Sequence, residues 1–312
     1  MESAAIAVTG LRKAYGDKAV LDGIDFEVAE GSVFSMLGPN GAGKTTTVNV
    51  LTTLLAADAG QVRVGGYDVL TQTKQVRAVI GVTGQFAAVD ELLTGRENLR
   101  LIADLKRVKQ ADQVIAGLLE RFELTEAAGK LISTYSGGMR RKLDLAMTLV
   151  GRPRIIFLDE PTTGLDPRSR RTMWQIVREL VAEGTTIFLT TQYLDEADQL
   201  ADQLVVLDQG RLVAQGTPEE LKRQIPGTHV RLRFADGPRL EAALRILAGA
   251  KRDEQDLTLR VPSDGGSRSL RDLLDRLAEH SLDAEEFSVH TPDLDDVFLA
   301  LTGHATTEAN AE

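Results

Sequence analysis

The chain of 312 residues contains no cysteine, which excludes disulfide bonds, thiol nucleophiles and cysteine-bound zinc together. It contains no run of about 18 apolar residues, the length that a membrane-spanning helix requires. Its first residues are not basic and then apolar, so they do not form a secretion signal. We therefore expect a soluble, cytoplasmic globular protein with no transmembrane segment, built as one large domain or two.

Positive charge is in deficit, since 36 Lys and Arg stand against 46 Asp and Glu and give a net charge of −10. An acidic balance of this size disfavours nonspecific nucleic-acid binding. The basic patch Arg140-Arg141-Lys142 is an exception and a candidate contact for a partner protein.

Residues 38–46 read Gly-Pro-Asn-Gly-Ala-Gly-Lys-Thr-Thr and match the phosphate-loop pattern G-x-x-x-x-G-K-[ST]. A predicted buried strand at residues 33–37 precedes them, and a predicted helix follows at residues 47–55. The glycines allow consecutive backbone N–H groups and the helix N-terminus to point at phosphate oxygens. A glycine-rich turn formed by chance is the alternative, which this strand–loop–helix context disfavours.

The side chains of the loop fit the same chemistry. Lys44 supplies a positive charge for the β- and γ-phosphates, and Thr45 places a hydroxyl where a bridging Mg²⁺ needs an oxygen ligand. Thr46 is a candidate donor to the α-phosphate. The predicted phosphate-binding residues are Gly38, Asn40, Gly41, Gly43, Lys44, Thr45 and Thr46.

Two acids follow a predicted buried strand at residues 155–158, at the strand end where parallel α/β sheets bind ligands. Asp159 is a candidate Mg²⁺ ligand, and Glu160 a candidate acceptor of the proton from a water that attacks the γ-phosphate. Capping of the next element is the alternative. Asp166, in the turn that follows, offers an available carboxylate.

Three further sites carry weaker signals. Gln85 ends an apolar run, from where its amide can project into a shared site. Ser136 stands at a helix N-cap before Gly137 and Gly138, which indicates either a second anion-binding helix N-terminus or ordinary capping. Tyr15 precedes the phosphate loop, and two interpretations stand: stacking on a nucleotide base, or a half-buried surface ring.

The remaining pattern outlines the domains. Residues 4–37 predict an antiparallel region, residues 96–122 a separate helical lobe, residues 169–182 a helix and residues 185–191 a strand ending at Gln192. After a hairpin at residues 204–214, a small α+β segment has predicted strands at 230–234, 257–261 and 287–290 and helices at 239–247 and 270–280. The predicted domains are residues 1–220 and 221–304, with a disordered tail at 305–312.

This ordered set of motifs resembles the ATP-binding cassette ATPases over about residues 5–220. The resemblance implies an α/β phosphate-loop cassette with antiparallel β and helical subdomains, binding ATP, or GTP, with Mg²⁺. It implies a head-to-tail homodimer in which residues 136–138 of one subunit complete the nucleotide site of the other. Gln85 would then sense Mg²⁺ and the attacking water, Asp166 would link the two sites, and Tyr15 would stack on the base. The helical lobe would grip a membrane permease.

Two positions depart from the family pattern. Met139 stands where the signature usually has glutamine, a change that should not abolish binding. Gln192 replaces the switch histidine; its amide can bond a γ-phosphate but cannot carry a proton. Glu160 would then act as the base without that help, so we expect slow intrinsic turnover.

Residues 134–146, 190–198 and 291–303 are similar to the daunorubicin/doxorubicin-resistance ATP-binding subunits, which extends the match over nearly the whole chain. That resemblance implies an ATPase on the cytoplasmic face of the cell membrane that drives drug export through a separate permease. The alternatives are export of a lipid or another natural product, a soluble cassette acting on ribosomes or DNA, and a nucleotide-gated binder that never turns over. The C-terminal domain, which carries no catalytic constellation, would support dimerisation or regulation.

Overall fold

The computed structural model describes residues 4–224, 228–252, 257–263, 266–290 and 292–302. The chain divides into two compact units, Met1–Pro218 and Glu219–Glu312. The tail predicted from residue 305 lies outside the described residues. Within the described ranges, no helix is both long enough and apolar enough to cross a membrane.

The elements follow the predicted order. In the first unit they are β1 (Ala4–Tyr15), β2 (Lys18–Ala29), β3 (Val33–Leu37), α1 (Lys44–Leu51), β4 (Ala59–Val64), β5 (Tyr67–Asp68), α2 (Thr73–Val79), β6 (Ile80–Thr83), α3 (Gly95–Leu105), α4 (Ala111–Arg121), α5 (Gly137–Leu149), β7 (Ile155–Asp159), α6 (Pro167–Ala182), β8 (Thr186–Thr191), α7 (Leu194–Leu200), β9 (Gln203–Asp208) and β10 (Arg211–Gly216). They are followed by α8 (Pro218–Gln224), β11 (His229–Arg233), α9 (Gly237–Ile246), β12 (Lys251–Arg252), β13 (Thr258–Pro262), α10 (Ser267–Glu279), β14 (Glu286–His290) and α11 (Leu294–Thr302).

A six-stranded sheet in the order β10-β9-β3-β8-β7-β6 forms the centre of the first unit. All of its neighbouring strands are parallel except β10, which pairs antiparallel with β9 in the predicted hairpin. Every residue of β3, β7 and β8 is buried, because both faces of the central sheet are covered, one of them by α1 together with the strands β1 and β2. Leu37 lies opposite Thr191 and Asp159 opposite Thr190, so three adjacent strands end at one edge.

A second sheet, in the order β2-β1-β4-β5, confirms the antiparallel region predicted before the phosphate loop. It contacts the central sheet through phenylalanine rings. The ring of Phe26 on β2 lies 5.1 Å from Phe34 and 5.9 Å from Phe188, and Phe188 lies 5.5 Å from Phe157. These rings join the two sheets in one core.

The helical stretch predicted at residues 96–122 is two helices, α3 and α4. Arg107 and Gln110 between them have positive φ angles of 52° and 55°, which no α-helix accommodates. The two helices form the predicted helical lobe, and their Leu99 and Ile115 belong to an apolar cluster that continues to Leu189 of the central sheet.

The second unit is a small α+β domain, as predicted. Its sheet has the antiparallel order β12-β13-β11-β14, and α9 and α10 supply Leu240, Leu273 and Leu277 to a core with Val230 and Leu259. The predicted strands and helices lie within one to three residues of the observed ones. The sequence prediction omitted β12 and α11.

Gly38 occupies a space that no side chain can share. A Cβ atom at this position would lie 2.3 Å from the carbonyl oxygen of Leu207, a backbone atom of β9. We predict that Gly38→Ala lowers the free energy of unfolding of the first unit by about 1–3 kcal/mol, because the loop or the strand must shift. Fluorescence of Trp174, the single tryptophan of the chain, measures unfolding of this unit.

Gly117→Ala on α4 is the matched control. A Cβ atom there meets nothing within 4 Å, and alanine is the better helix former by about 0.5–1 kcal/mol. This variant should melt at or above the wild-type temperature. Equal melting temperatures for Gly38→Ala and the wild type would contradict the prediction.

Candidate active site

The loop between β3 and α1 has the backbone that its sequence predicts. Gly43 caps α1 with a φ of 115°, in the left-handed region that favours glycine, and no side chain caps the helix. The amide of Gly38 donates to the carbonyl of Thr191 at 3.2 Å, which joins the loop to the end of β8. The uncapped helix N-terminus has the polarity that an anion requires.

Lys44 is buried at the start of α1. Its Nζ donates to the carbonyl oxygens of Gly38 at 2.7 Å and Pro39 at 3.1 Å, and it lies 3.2 Å from Oε1 of Glu160. Burial lowers the pKa of the Lys44 ammonium, and the Glu160 carboxylate counters part of that shift by favouring the charged form. The phosphate loop and the end of β7 therefore meet through this buried ion pair.

Glu160 follows β7 directly and has a positive φ of 48°, an uncommon conformation for a residue with a side chain. Its amide donates to the hydroxyl and the carbonyl of Thr190, both at 3.1 Å, which fixes the strained backbone. Oε2 accepts from Nε2 of Gln85 at 3.5 Å and from the hydroxyl of Thr163 at 3.4 Å. The carboxylate is thus held by Lys44, Thr163 and Gln85, and the contact with Gln85 is the longest of the three.

Asp159, one residue earlier, is buried and accepts a hydrogen bond from the Thr190 hydroxyl through Oδ1. It occupies the strand end at which the sequence predicts a cation ligand. Among the described residues, no group of three or more His, Cys, Asp or Glu side chains is placed to hold a metal ion by itself.

One cleft brings together most of the predicted nucleotide-binding residues. Tyr15 lines this cleft and has 52% of its surface exposed, so both interpretations of this ring stand. The predicted site residues that line the cleft are Tyr15, Asn40, Gly41, Gly43, Lys44, Thr45, Thr46, Gln85 and Glu160.

The residues at the start of α5 do not line that cleft. Ser136 caps the helix, as predicted, by accepting from the Met139 amide at 3.2 Å through its hydroxyl. Gly137 is exposed, and Gly138 packs so closely against Ser169 that a Cβ atom would lie 2.6 Å from the Ser169 hydroxyl. This helix start therefore contacts the first turn of α6 and has an exposed side.

Asp166 differs from its prediction, because its carboxylate is engaged as the N-cap of α6. Oδ1 accepts from the amides of Arg168 and Ser169, both at 3.0 Å, and Oδ2 accepts from the Ser169 hydroxyl at 2.6 Å. Pro167 begins the helix and has no amide hydrogen, and the amides of Arg168 and Ser169 need an outside acceptor because the first turn of a helix offers them none. These bonds lower the pKa of the Asp166 carboxyl.

Gln192 follows β8 at the same sheet edge as Glu160 and is half-buried. Its neighbour Tyr193 donates its amide to the Thr191 hydroxyl at 2.9 Å, which fixes the chain between them. The Tyr193 ring lies 4.7 Å from the guanidinium carbon of Arg170 on α6.

The sequence reasoning missed the roles of Arg141 and Asp144 on α5. The expectation that the basic patch is a partner contact is wrong for Arg141, which is buried. Its guanidinium donates to three backbone carbonyl oxygens and lies 3.5 Å from Oδ2 of Asp144. Two charged residues one helical turn apart, beside an apolar stripe, are the signal that could have identified this buried pair.

Comparison with known proteins gives two family models. Residues 21–163 match the model described as ABC transporter, and residues 216–302 match the model described as ATP-binding protein DrrA1-3-like, C-terminal domain.

Three relatives match over nearly their whole length. The daunorubicin resistance ATP-binding protein DrrA2 of Streptomyces coeruleorubidus is 44% identical over 100% of this chain and 99% of its own. The daunorubicin/doxorubicin resistance ATP-binding protein DrrA of Streptomyces peucetius is 46% identical over 99% and 95%. The Nod factor export ATP-binding protein I of Rhizobium sp. (strain N33) is 36% identical over 97% and 98%.

Solved structures match about two thirds of the chain. An ATP-binding subunit of an ABC transporter superposes with a TM-score of 0.64 at 29% identity, covering 70% of this chain and 92% of its own. A dimeric ATP-binding cassette bound to ADP and phosphate superposes with a TM-score of 0.63 at 23% identity, covering 68% and 98%, which shows the shared fold.

The buried Asp144 generates a pH-dependent prediction. Burial raises the pKa of its carboxyl from 3.8 to about 6, although the Ala88 amide and Arg141 favour the ionised form. Between these values the folded chain keeps a proton that the unfolded chain has lost, so stability falls as the pH rises. We predict that the free energy of unfolding of Asp144→Asn, minus that of the wild type, increases by about 2 kcal/mol from about pH 4.5 to pH 7.

Urea unfolding followed by Trp174 fluorescence measures this difference. Asp104→Asn, at an exposed aspartate of α3, is the control and should show a constant difference, because water solvates that carboxylate in both states. A constant difference for Asp144→Asn over the same range would contradict the raised pKa.

Proposed function

The chain belongs to the ATP-binding subunits of ABC transporters, in the daunorubicin/doxorubicin resistance family, and we propose that it drives export of an anthracycline-like drug through a separate membrane permease. As a family member it binds and hydrolyses ATP. The observation that carries the proposal is the buried pairing of Lys44 on the phosphate loop with Glu160 at the end of β7, inside one cleft with Gln85.

ATP is the substrate that binds in this cleft. The amides at the start of α1 and the Lys44 ammonium face the phosphates, and the phosphate oxygens replace the Glu160 carboxylate as the partner of Lys44. Freed from this ion pair, Glu160 accepts a proton from the water that attacks the γ-phosphorus. The bond from phosphorus to the bridging oxygen then breaks, and ADP leaves with that electron pair.

The residues present also fit a magnesium ion. Mg²⁺ takes oxygen ligands and keeps few protein contacts when it is bound with phosphates, which suits the Thr45 hydroxyl and the Asp159 carboxylate. Because Gln85 donates Nε2 to Glu160, its Oε1 is the amide atom left for the cation or its water. When bound, the ion neutralises charge that develops on the phosphate oxygens.

A second copy of the chain completes the site in this proposal. Residues 136–138 lie outside the cleft and have an exposed side, which supports a head-to-tail homodimer in which they approach the nucleotide of the partner. Asp166 contributes as the cap that fixes α6 against Gly138, instead of through a free carboxylate. A half-buried Gln192 near the γ-phosphate serves as a hydrogen-bond donor without proton transfer.

The proposed permease contact lies just after Gln85. Phe86 and Leu92 have 84% and 85% of their surface exposed, and Leu105 of α3 has 72% exposed. Exposed large apolar side chains are candidate contacts for a partner, and a cytoplasmic segment of a permease is the occupant that the family membership supports. The chain would therefore act at the cytoplasmic face of the membrane, peripherally attached.

We assign the C-terminal unit, residues 221–304 of the predicted domains, to dimerisation or regulation. Its sheet and two helices form their own core. A chain lacking residues 221–312 that dimerises, folds and supports transport as the full chain does would remove this assignment.

The drug is the most specific part of the proposal. The names of the relatives at 44% and 46% identity, and the match of residues 216–302, favour an anthracycline. The relatives named for Nod factor export, at 36–38% identity, favour another natural product as the second candidate.

We predict that an anthracycline stimulates ATP hydrolysis in membranes that contain this chain and its genetically neighbouring permease, because substrate binding to the permease favours closure of the ATPase dimer. Glu160→Gln is the background control and should show no stimulation, since its side chain cannot accept the proton. Hydrolysis that exceeds this control but does not change with any anthracycline would contradict the drug assignment. It would still be consistent with a transporter ATPase.

A further inference from the structure

Arg141 joins the two segments that carry Gln85 and Glu160. Its Nη1 donates to the carbonyl oxygen of Gly84 at 2.6 Å, immediately before Gln85. Its Nη2 and Nε donate to the carbonyl oxygens of Asp159 at 3.2 Å and Pro161 at 2.9 Å, on the two sides of Glu160. One buried guanidinium thus holds the backbone around both side chains.

Asp144, one turn along α5, holds the other end of the same loop. Its Oδ1 accepts from the amide of Ala88 at 3.1 Å, and its Oδ2 lies 3.5 Å from Nη1 of Arg141. The loop from Gly84 to Ala88 is therefore attached to α5 at both ends by one ion pair.

The loop needs this attachment, because Gln85 has little else to hold it. Its side chain is exposed, and its hydrogen bond to Glu160 is long, at 3.5 Å. Glu160 itself has a strained positive φ, and the carbonyls on both sides of it accept from the one guanidinium. Small displacements of either segment would separate the amide from the carboxylate.

We propose that Arg141 and Asp144 are positioning residues, which hold the loop of Gln85 against the end of β7 so that Gln85 and Glu160 act on the same water. Neither touches the nucleotide cleft, and both act through the backbone of the residues that do. The inference rests on the proposed hydrolytic function for its effect on rate, but the attachment of the loop can be measured without hydrolysis.

Amide hydrogen exchange of residues 84–89 in the full chain, without nucleotide, is the first test. Arg141→Lys keeps the charge, but one ammonium cannot replace a planar guanidinium that serves three carbonyl oxygens. We expect the Ala88 amide to exchange about tenfold faster, because the loop opens locally more often. Exchange in β11 of the second unit should not change.

Lys142→Ala is the matched control, since Lys142 is the next residue of α5 and pairs with the exposed Glu123 at the surface. It should exchange and hydrolyse as the wild type does. Asp144→Ala removes the acceptor of the Ala88 amide and leaves Arg141 in place, so it must give the same direction of change. If Arg141→Lys does not fold, Asp144→Ala alone tests whether α5 holds the loop.

Steady-state hydrolysis is the second test. Arg141→Lys should lower kcat by about tenfold or more and leave KM for ATP within about twofold, because the phosphate loop is untouched. In a Gln85→Ala background the same substitution should cost several-fold less, since the part of its effect that passes through Gln85 is then absent. A purely structural role would lower both backgrounds equally.

Unchanged exchange at residues 84–89 in Arg141→Lys and Asp144→Ala overturns the proposal. A loss of kcat that is equally large in the Gln85→Ala background also overturns it. A wild-type chain that hydrolyses no ATP overturns the proposed function instead, and the exchange comparison alone then decides whether α5 holds the loop.

Discussion

The parallel register of β3, β8 and β7 is the constraint on which the rest of the site depends. Because three neighbouring strands end at one edge, the phosphate loop, Gln192 and Glu160 follow them side by side. The Lys44–Glu160 ion pair lies where two of these strand ends meet, in a buried place where charge interactions are strong. The same edge therefore positions both the proposed base, Glu160, and the phosphate-binding charge, Lys44.

Much of this could be predicted from local pattern. The phosphate loop, the buried strands and the acids after residue 158 are signalled by residues within a few positions of each other, and the structure confirms those elements. The helices and strands of the second unit could be predicted equally well, because its leucines have helical spacing and its strands alternate apolar and polar residues. Elements whose signals lie within a few consecutive residues could therefore be predicted from the sequence alone.

The errors concern contacts between segments distant in sequence. Arg141 looked like surface charge beside Arg140 and Lys142, but packing of α5 against β6 and β7 buries it beneath three carbonyls. The sequence indicated an available carboxylate at Asp166, but in the structure this carboxylate caps the start of α6. The buried Arg141 and Asp144 are also unfavourable for stability, since burial opposes both charges. Their place beside the segments of Gln85 and Glu160 is understandable as positioning.

The central claim is that the ends of β3 and β7 form a hydrolytic nucleotide site with Glu160 as its base. Single-turnover cleavage of ATP by the full chain with Mg²⁺, compared with Glu160→Gln, tests it most directly. We expect that both proteins bind ATP equally well and that the variant cleaves it at least about a hundredfold more slowly. Equal cleavage by the two proteins, or a wild type that binds ATP and never cleaves it, would contradict the account.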